Sequence, residues 1–171
     1  MEYSQHYPSF FTATILEWKP LLKQEKYKEI IASSLSFLVK ENRIKVYGFV
    51  IMSNHIHIIW RVMNNYKLQD VQQSFMKYTA QMIVKDLRNN HPQVLEHFVV
   101  NATDRKYQIW ERNPLSIELH SNEVLYQKIN YIHQNPVKAG LCLQAADYHY
   151  SSASLYLNKS TVWNFLTEWE A

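Results

Sequence analysis

His55 and His57 are separated by one residue in the run Ile51-Met52-Ser53-Asn54-His55-Ile56-His57-Ile58-Ile59-Trp60. If that run is a strand, alternate side chains share a face, and the two imidazoles stand close enough to chelate one divalent ion. A bare His-x-His is a weak signal, since paired histidines on a half-buried strand are usually held by neighbouring groups. Here isoleucines take the opposite face, and two buried imidazoles without ligand or partner would each cost about 1–3 kcal/mol. That weighs toward a metal half-site. A second constellation ends a helix-like segment, Ile129-Asn130-Tyr131-Ile132-His133-Gln134-Asn135-Pro136-Val137-Lys138-Ala139-Gly140. At about 100° per residue Leu125, Ile129 and Ile132 form an apolar stripe, and Tyr131 and Asn135 lie about 40° apart beside Lys128. A hydroxyl, a carboxamide and an ammonium then share one edge. His133 is turned about 200° from Tyr131 on the same wheel and reads as structural or surface. With 12 tyrosines in the chain, spacing alone does not single out Tyr131.

These side chains need a strand and a helix held face to face, and the chain supplies both. Residues 9–18 read as a first strand with Phe11, Ala13 and Ile15 on one face, closed by Pro20. Apolar residues at three- and four-residue spacing predict an amphipathic helix over 21–42. Two β-rich runs, 44–52 and 55–62, flank Ser53-Asn54, which suits a tight hairpin turn. A second helix is predicted over 68–87, with Asn89, Asn90 and Pro92 as stop signals. Residues 91–113 are compatible with a strand, a short helix or both. Ser121 offers an N-cap to a third helix ending near Asn135, because Pro136 disfavours its continuation; Gly140 follows shortly after. The order implies an α+β, ferredoxin-like split βαβ fold: an antiparallel sheet with helices packed on one face.

Composition narrows the classes. The chain has 171 residues, 47% hydrophobic and 14% aromatic, which predicts one domain over 1–171 with an aromatic C-terminal tail from about 148. Only two glycines occur, Gly48 and Gly140, too few for a P-loop or a dinucleotide-binding glycine cluster. The single Cys142 excludes an internal disulfide and cysteine-based zinc ribbons. No apolar run approaches the roughly 18 residues that span a bilayer, and residues 1–6 lack a signal-peptide layout, so a cytoplasmic protein without membrane partners is expected. The formal charge of +3 permits a polyanionic partner without establishing one.

Taken in order, Gly48-Phe49-Val50-Ile51-Met52-Ser53-Asn54-His55-Ile56-His57-Ile58-Ile59, then Tyr131 to Gly140, then Tyr148-His149-Tyr150-Ser151-Ser152-Ala153 resemble the single-tyrosine HUH transposases. More narrowly, they resemble the REP-associated tyrosine transposases of the insertion-sequence-200-like family. The resemblance spans most of the chain up to Ser152, and its specificity lies in the ordered set. It implies that His55 and His57 are metal ligands and that Tyr131 is the nucleophile. It further implies that a carboxamide one turn later, Asn135 with Gln134 as the alternative, completes the metal site. Ser53 stands where many relatives have proline, and no basic tail is evident.

The implied activity is nicking and rejoining of single-stranded DNA at stem-loop sites through a 5′-phosphotyrosine intermediate, with Mg²⁺ or Mn²⁺ as cofactor. Its partner would be hairpin-bearing single-stranded DNA, REP-like or at an insertion-sequence end, met in the cytoplasm at the nucleoid, and a homodimer is compatible. Lys128, Arg61 and Arg112 are the favoured DNA contacts among a wider group that includes Lys77, Lys85, Arg105 and Lys106. The alternative is a non-cleaving, domesticated single-stranded DNA-binding or regulatory module on the same fold. A histidine-triad nucleotide hydrolase would need a third histidine at position 59, where the chain has Ile59.

Overall fold

The structure, a computed structural model, describes residues 6–171. The readings of residues 1–5 lie outside it. Four strands, β1 (Ser9–Thr14), β2 (Ile44–Ile51), β3 (His55–Val62) and β4 (Leu115–Glu118), form one sheet in the order β2-β3-β1-β4. Every neighbouring pair is antiparallel. With α1 (Glu25–Lys40) and α2 (Leu68–Asn90) as crossovers, this is the α+β split βαβ arrangement. Three further helices follow: α3 (Pro92–Leu95), α4 (Asn122–Lys138) and α5 (Ala153–Asn158).

Both faces of the sheet are covered. Phe11, Ala13, Phe49, Ile56, Ile58 and Trp60 face α1 and α2, where Ile31, Leu35, Phe75 and Ile83 complete the main core. The sequence reading expected helices on one face; α1 and α2 occupy that face, and α4 packs on the other. There Leu125, Ile129 and Ile132 of α4 meet Phe10, Tyr47, Val50 and Ile59. A bulge between Val46 and Gly48 shifts the register of β2 and puts both Tyr47 and Gly48 on the α4 side. Gly48 lets the helix come close: a Cβ there would lie 2.7 Å from Ile129 Cδ1 and 3.1 Å from Ile132 Cδ1.

Several boundaries differ from the sequence reading, among them that of α2, which runs on to Asn90 through the Asn89 and Asn90 expected to stop it near 87. Strand β1 stops at Thr14 and runs into a 3-10 turn, Leu16–Trp18. In that turn Glu17 (φ 53°) and Trp18 (φ 57°) are both left-handed, at about 1–2 kcal/mol each. The first helix begins at Glu25 after a separate turn, Leu21–Lys23. Helix α4 runs through Pro136 to Lys138, where the sequence predicted a stop near Asn135. Gly140 (φ 74°) decides that end: its N–H donates to Val137 O at 3.0 Å and the Leu141 N–H to Pro136 O at 2.9 Å, the bonds of a Schellman cap.

The segment left open, 91–113, holds both kinds of structure. Helix α3 and a 3-10 turn (Glu96–Phe98) are followed by bridges Val99↔Tyr107 and Ile15↔Trp110. The aromatic tail covers the outer edge of β2: Ile51 N–H donates to Tyr150 O (2.9 Å), and Thr167 N–H to Val46 O (2.9 Å). Trp163 and Phe165 pack against Phe49.

Candidate active site

Strand alternation puts His55 and His57 on the α4 face of β3, with ring centroids 4.9 Å apart. Each ring has one nitrogen committed. His57 Nδ1 lies 2.7 Å from Thr12 Oγ1, across the β1–β3 pair in which Thr12 stands directly opposite His57. His55 Nδ1 donates to Asn54 Oδ1 at 2.7 Å. The turn carrying Asn54 is itself pinned, since Asn54 O accepts from the Ile15 N–H (2.8 Å) and Ser53 O from the Leu22 N–H (2.9 Å). Such outer partners fix ring orientation and leave each Nε2 as the available donor.

Helix α4 supplies the other wall. Its apolar stripe seats on the sheet and sends Lys128, Tyr131 and Asn135, spaced three and four residues apart, along one ridge over β3. The Tyr131 ring is 5.5 Å from the His57 ring and 6.2 Å from that of Phe10, which stacks on His57 at 5.3 Å. Lys128 Nζ sits 4.8 Å from the Phe10 ring and 5.7 Å from that of Tyr131. Asn135 Nδ2 lies 3.4 Å from His55 Nε2, whereas Gln134 is exposed on another side of the helix. With its amide turned over, Asn135 presents Oδ1 to the same nitrogen's surroundings.

The site has a dry floor and an open mouth: His57 is 5% exposed and Tyr131 49%. Burial, followed by the charges of His55 and Lys128, pushes the His57 imidazole down to about 3, and burial also lowers His55. Both rings are therefore neutral near pH 7, the form that ligates a metal. The two Nε2 lone pairs, with the Asn135 carboxamide 3.4 Å from that of His55, fit a divalent ion with coordination positions left over. Among the described residues no third His, Cys, Asp or Glu joins the pair.

The sequence profile described as "Transposase IS200 like" matches residues 11–134, most of the chain. The chain belongs to the IS200-like transposase family. No curated protein matches it. Among solved structures, it resembles one described as a REP-associated tyrosine transposase bound to a REP hairpin, at 16% identity and a TM-score of 0.65. That alignment covers 100% of this chain and 89% of the other. A candidate transposase from Deinococcus radiodurans R1 aligns at 11% identity and a TM-score of 0.50, over 78% of this chain and 94% of that one. At such identities the likeness is one of fold.

In this IS200-like family member, His55, His57, Tyr131, Asn135 and Lys128 come together, and the other candidate cations stand apart. Arg61 shares the face of His57 four residues along β3, about 13 Å away, with its guanidinium over Tyr47. Arg112 is exposed, 3.5 Å from Asp104, in a cleft of about 880 Å³ between α2 and the 104–114 segment that Lys77 and Arg105 also line. Lys85 is exposed on α2, and Lys106 sits over the Tyr107 ring. His133, read from the wheel as structural or surface, is buried and structural, with Nε2 2.8 Å from Ser152 Oγ; that oxygen accepts from the Phe49 N–H at 3.0 Å. The pair ties α4 to β2 on the side away from Tyr131. Sequence reasoning missed Thr12, Phe10 and Asn54. The expected face for Phe11, Ala13 and Ile15 puts Phe10 and Thr12 on the opposite side, but only strand pairing says that this side meets His57.

Proposed function

We propose that this protein cuts and rejoins single-stranded DNA at stem-loop sites, with Tyr131 as the nucleophile and a 5′-phosphotyrosine link as the intermediate. The observation that carries the reading is the solvent-open Tyr131 ring 5.5 Å from a neutral histidine pair, with Lys128 over the same ring. His55 and His57 through Nε2, and Asn135 through its carboxamide oxygen, would hold Mg²⁺ or Mn²⁺. When bound, the ion supplies Lewis-acid polarisation of a non-bridging phosphate oxygen.

Thr12 and Asn54 hold the two rings in the ligating tautomer. Lys128 Nζ, 5.7 Å from the Tyr131 ring, puts a positive charge beside the nucleophile, whose hydroxyl proton passes to solvent. The Tyr131 oxygen attacks phosphorus, a P–O bond to Tyr131 forms, the P–O3′ bond breaks, and the departing oxygen takes a proton to become a 3′-hydroxyl. A later 3′-hydroxyl attacks the phosphotyrosine, releases Tyr131 and reseals the strand without a nucleotide cofactor. The hairpin in the REP-associated relative supports a hairpin-bearing substrate for this chain as well.

The test is a denaturing gel that scores covalent protein–DNA adducts on single-stranded hairpin oligonucleotides flanking the gene. A metal-dependent adduct absent from Tyr131→Phe and His57→Ala is the expected result. Tight binding by the wild type with no adduct under Mg²⁺ or Mn²⁺ would instead favour a non-cleaving binding module. An adduct surviving in Tyr131→Phe would assign the nucleophile elsewhere.

A further inference from the structure

We propose that Trp18 forms a subsite for an unpaired nucleobase beside the scissile phosphate, a base-stacking platform whose role rests on the DNA-cleaving reading above. Trp18 is 61% exposed, whereas Trp60 and Trp110 are buried and Trp163 and Trp169 partly so. Its indole lies 6.0 Å from the His55 ring, edge to face, at the rim of the site. An exposed indole there adds nothing to the core.

The backbone makes the placement specific. Glu17 and Trp18 are consecutive left-handed residues, a conformation that glycine or asparagine would adopt with less strain. The surroundings hold it from three directions. The Glu17 N–H donates to Glu111 Oε1 at 2.6 Å, the Trp18 N–H to Ile15 O at 2.8 Å, and Asn54 Nδ2 to Trp18 O at 3.4 Å. Asn54 is also the acceptor for His55 Nδ1, so one carboxamide sets both the metal-facing imidazole and the indole. Strain kept at an exposed aromatic beside a reaction centre points to use in binding.

The occupant follows from chemistry. The nucleobase next to a phosphate is attached through one sugar, so a flat ring one imidazole away from the phosphate position is within its reach. Every base has a π-face, and stacking on an indole is tolerant of sequence. Trp18 would hold the strand in line for Tyr131 without selecting which base it holds.

The experiment is a protein–DNA double-mutant cycle in the Tyr131→Phe background, where binding is read without cleavage. Labelled hairpin oligonucleotides carry single abasic sites stepped through the unpaired flank, and affinity is read by fluorescence anisotropy. Trp18→Ala is expected to weaken the intact oligonucleotide about 10- to 100-fold. One abasic position should weaken the parent comparably and add almost nothing to Trp18→Ala, while Trp18→Phe restores most of the affinity. Trp18→Gly should bind as poorly as Trp18→Ala yet melt no lower than the parent, since it relieves the left-handed backbone. Additive losses at every abasic position, or unchanged binding by Trp18→Ala, would overturn the proposal and leave the cleavage reading intact. A lower melting temperature for Trp18→Gly would also overturn it, by making Trp18 structural. If the Tyr131→Phe chain binds none of the oligonucleotides, the DNA-cleaving reading falls and the subsite with it.

Discussion

The two faces of the sheet are built for different purposes. Toward α1 and α2 the three longer strands present a mainly apolar surface, with Phe11, Trp60 and Phe75 packed ring against ring and each no more than 1% exposed. Toward α4 the apolar cluster is smaller, and it gives way to Thr12, His55 and His57 where the helix ridge carries Lys128, Tyr131 and Asn135. One face is closed by packing alone. The other is closed for half its length and left open where chemistry needs access. The same strands serve both because period-2 alternation separates the residues of one face from those of the other.

The largest effect expected from testing that contrast is on the closed face. Phe75→Ala removes a ring that meets both Phe11 and Trp60 and should cost about 3–5 kcal/mol, measured from the urea midpoint. Adduct formation per folded molecule should stay near wild type. A fall in that rate as steep as the fall in stability would mean the faces are coupled.

Gly48→Ala probes the open face with a smaller change. Its methyl group enters the space of Ile129 Cδ1 and should cost about 1–3 kcal/mol by overpacking. It pushes on the helix that bears Tyr131, and a misplacement of about 1 Å can cost roughly 100-fold in rate. Adduct formation per folded molecule should therefore fall ten-fold or more. Equal rates for Gly48→Ala and wild type would show that α4 is placed by its other anchors, Ser152 and His133 foremost.

The smallest effect lies at the α1–α2 contact, far from the site. Asp86 receives hydrogen bonds from Lys26, Tyr27 and Asn90, which lower its carboxyl from 3.8 to about 2. A depressed carboxylate stabilises above its unfolded value, and that contribution is lost as pH falls from about 4 toward 2. Discounted for its partial exposure, the effect is about 1 kcal/mol. Asp86→Asn should flatten the wild-type loss of stability over that window in acid-dependent melts. An unchanged slope would remove Asp86 from the account of that face.

Much of this was legible in the residues. Alternation fixed the two histidines on one side of β3, and the helical wheel put Tyr131, Asn135 and Lys128 on a shared edge with His133 turned away. Those relations are local, set by backbone periods of 2 and 3.6 residues. What lay beyond them was pairing and competition between signals. Pro136 outweighed Gly140 in the sequence reading, whereas in the fold the glycine cap sets the helix end. Thr12 becomes the partner of His57 only through the β1–β3 register, and Trp18 arrives beside His55 only because a left-handed turn follows β1. The sequence by itself determined which side chains share an element's face. Tertiary structure alone decided which faces meet, because contacts between residues as distant as His55 and Asn135 depend on how separate elements pack.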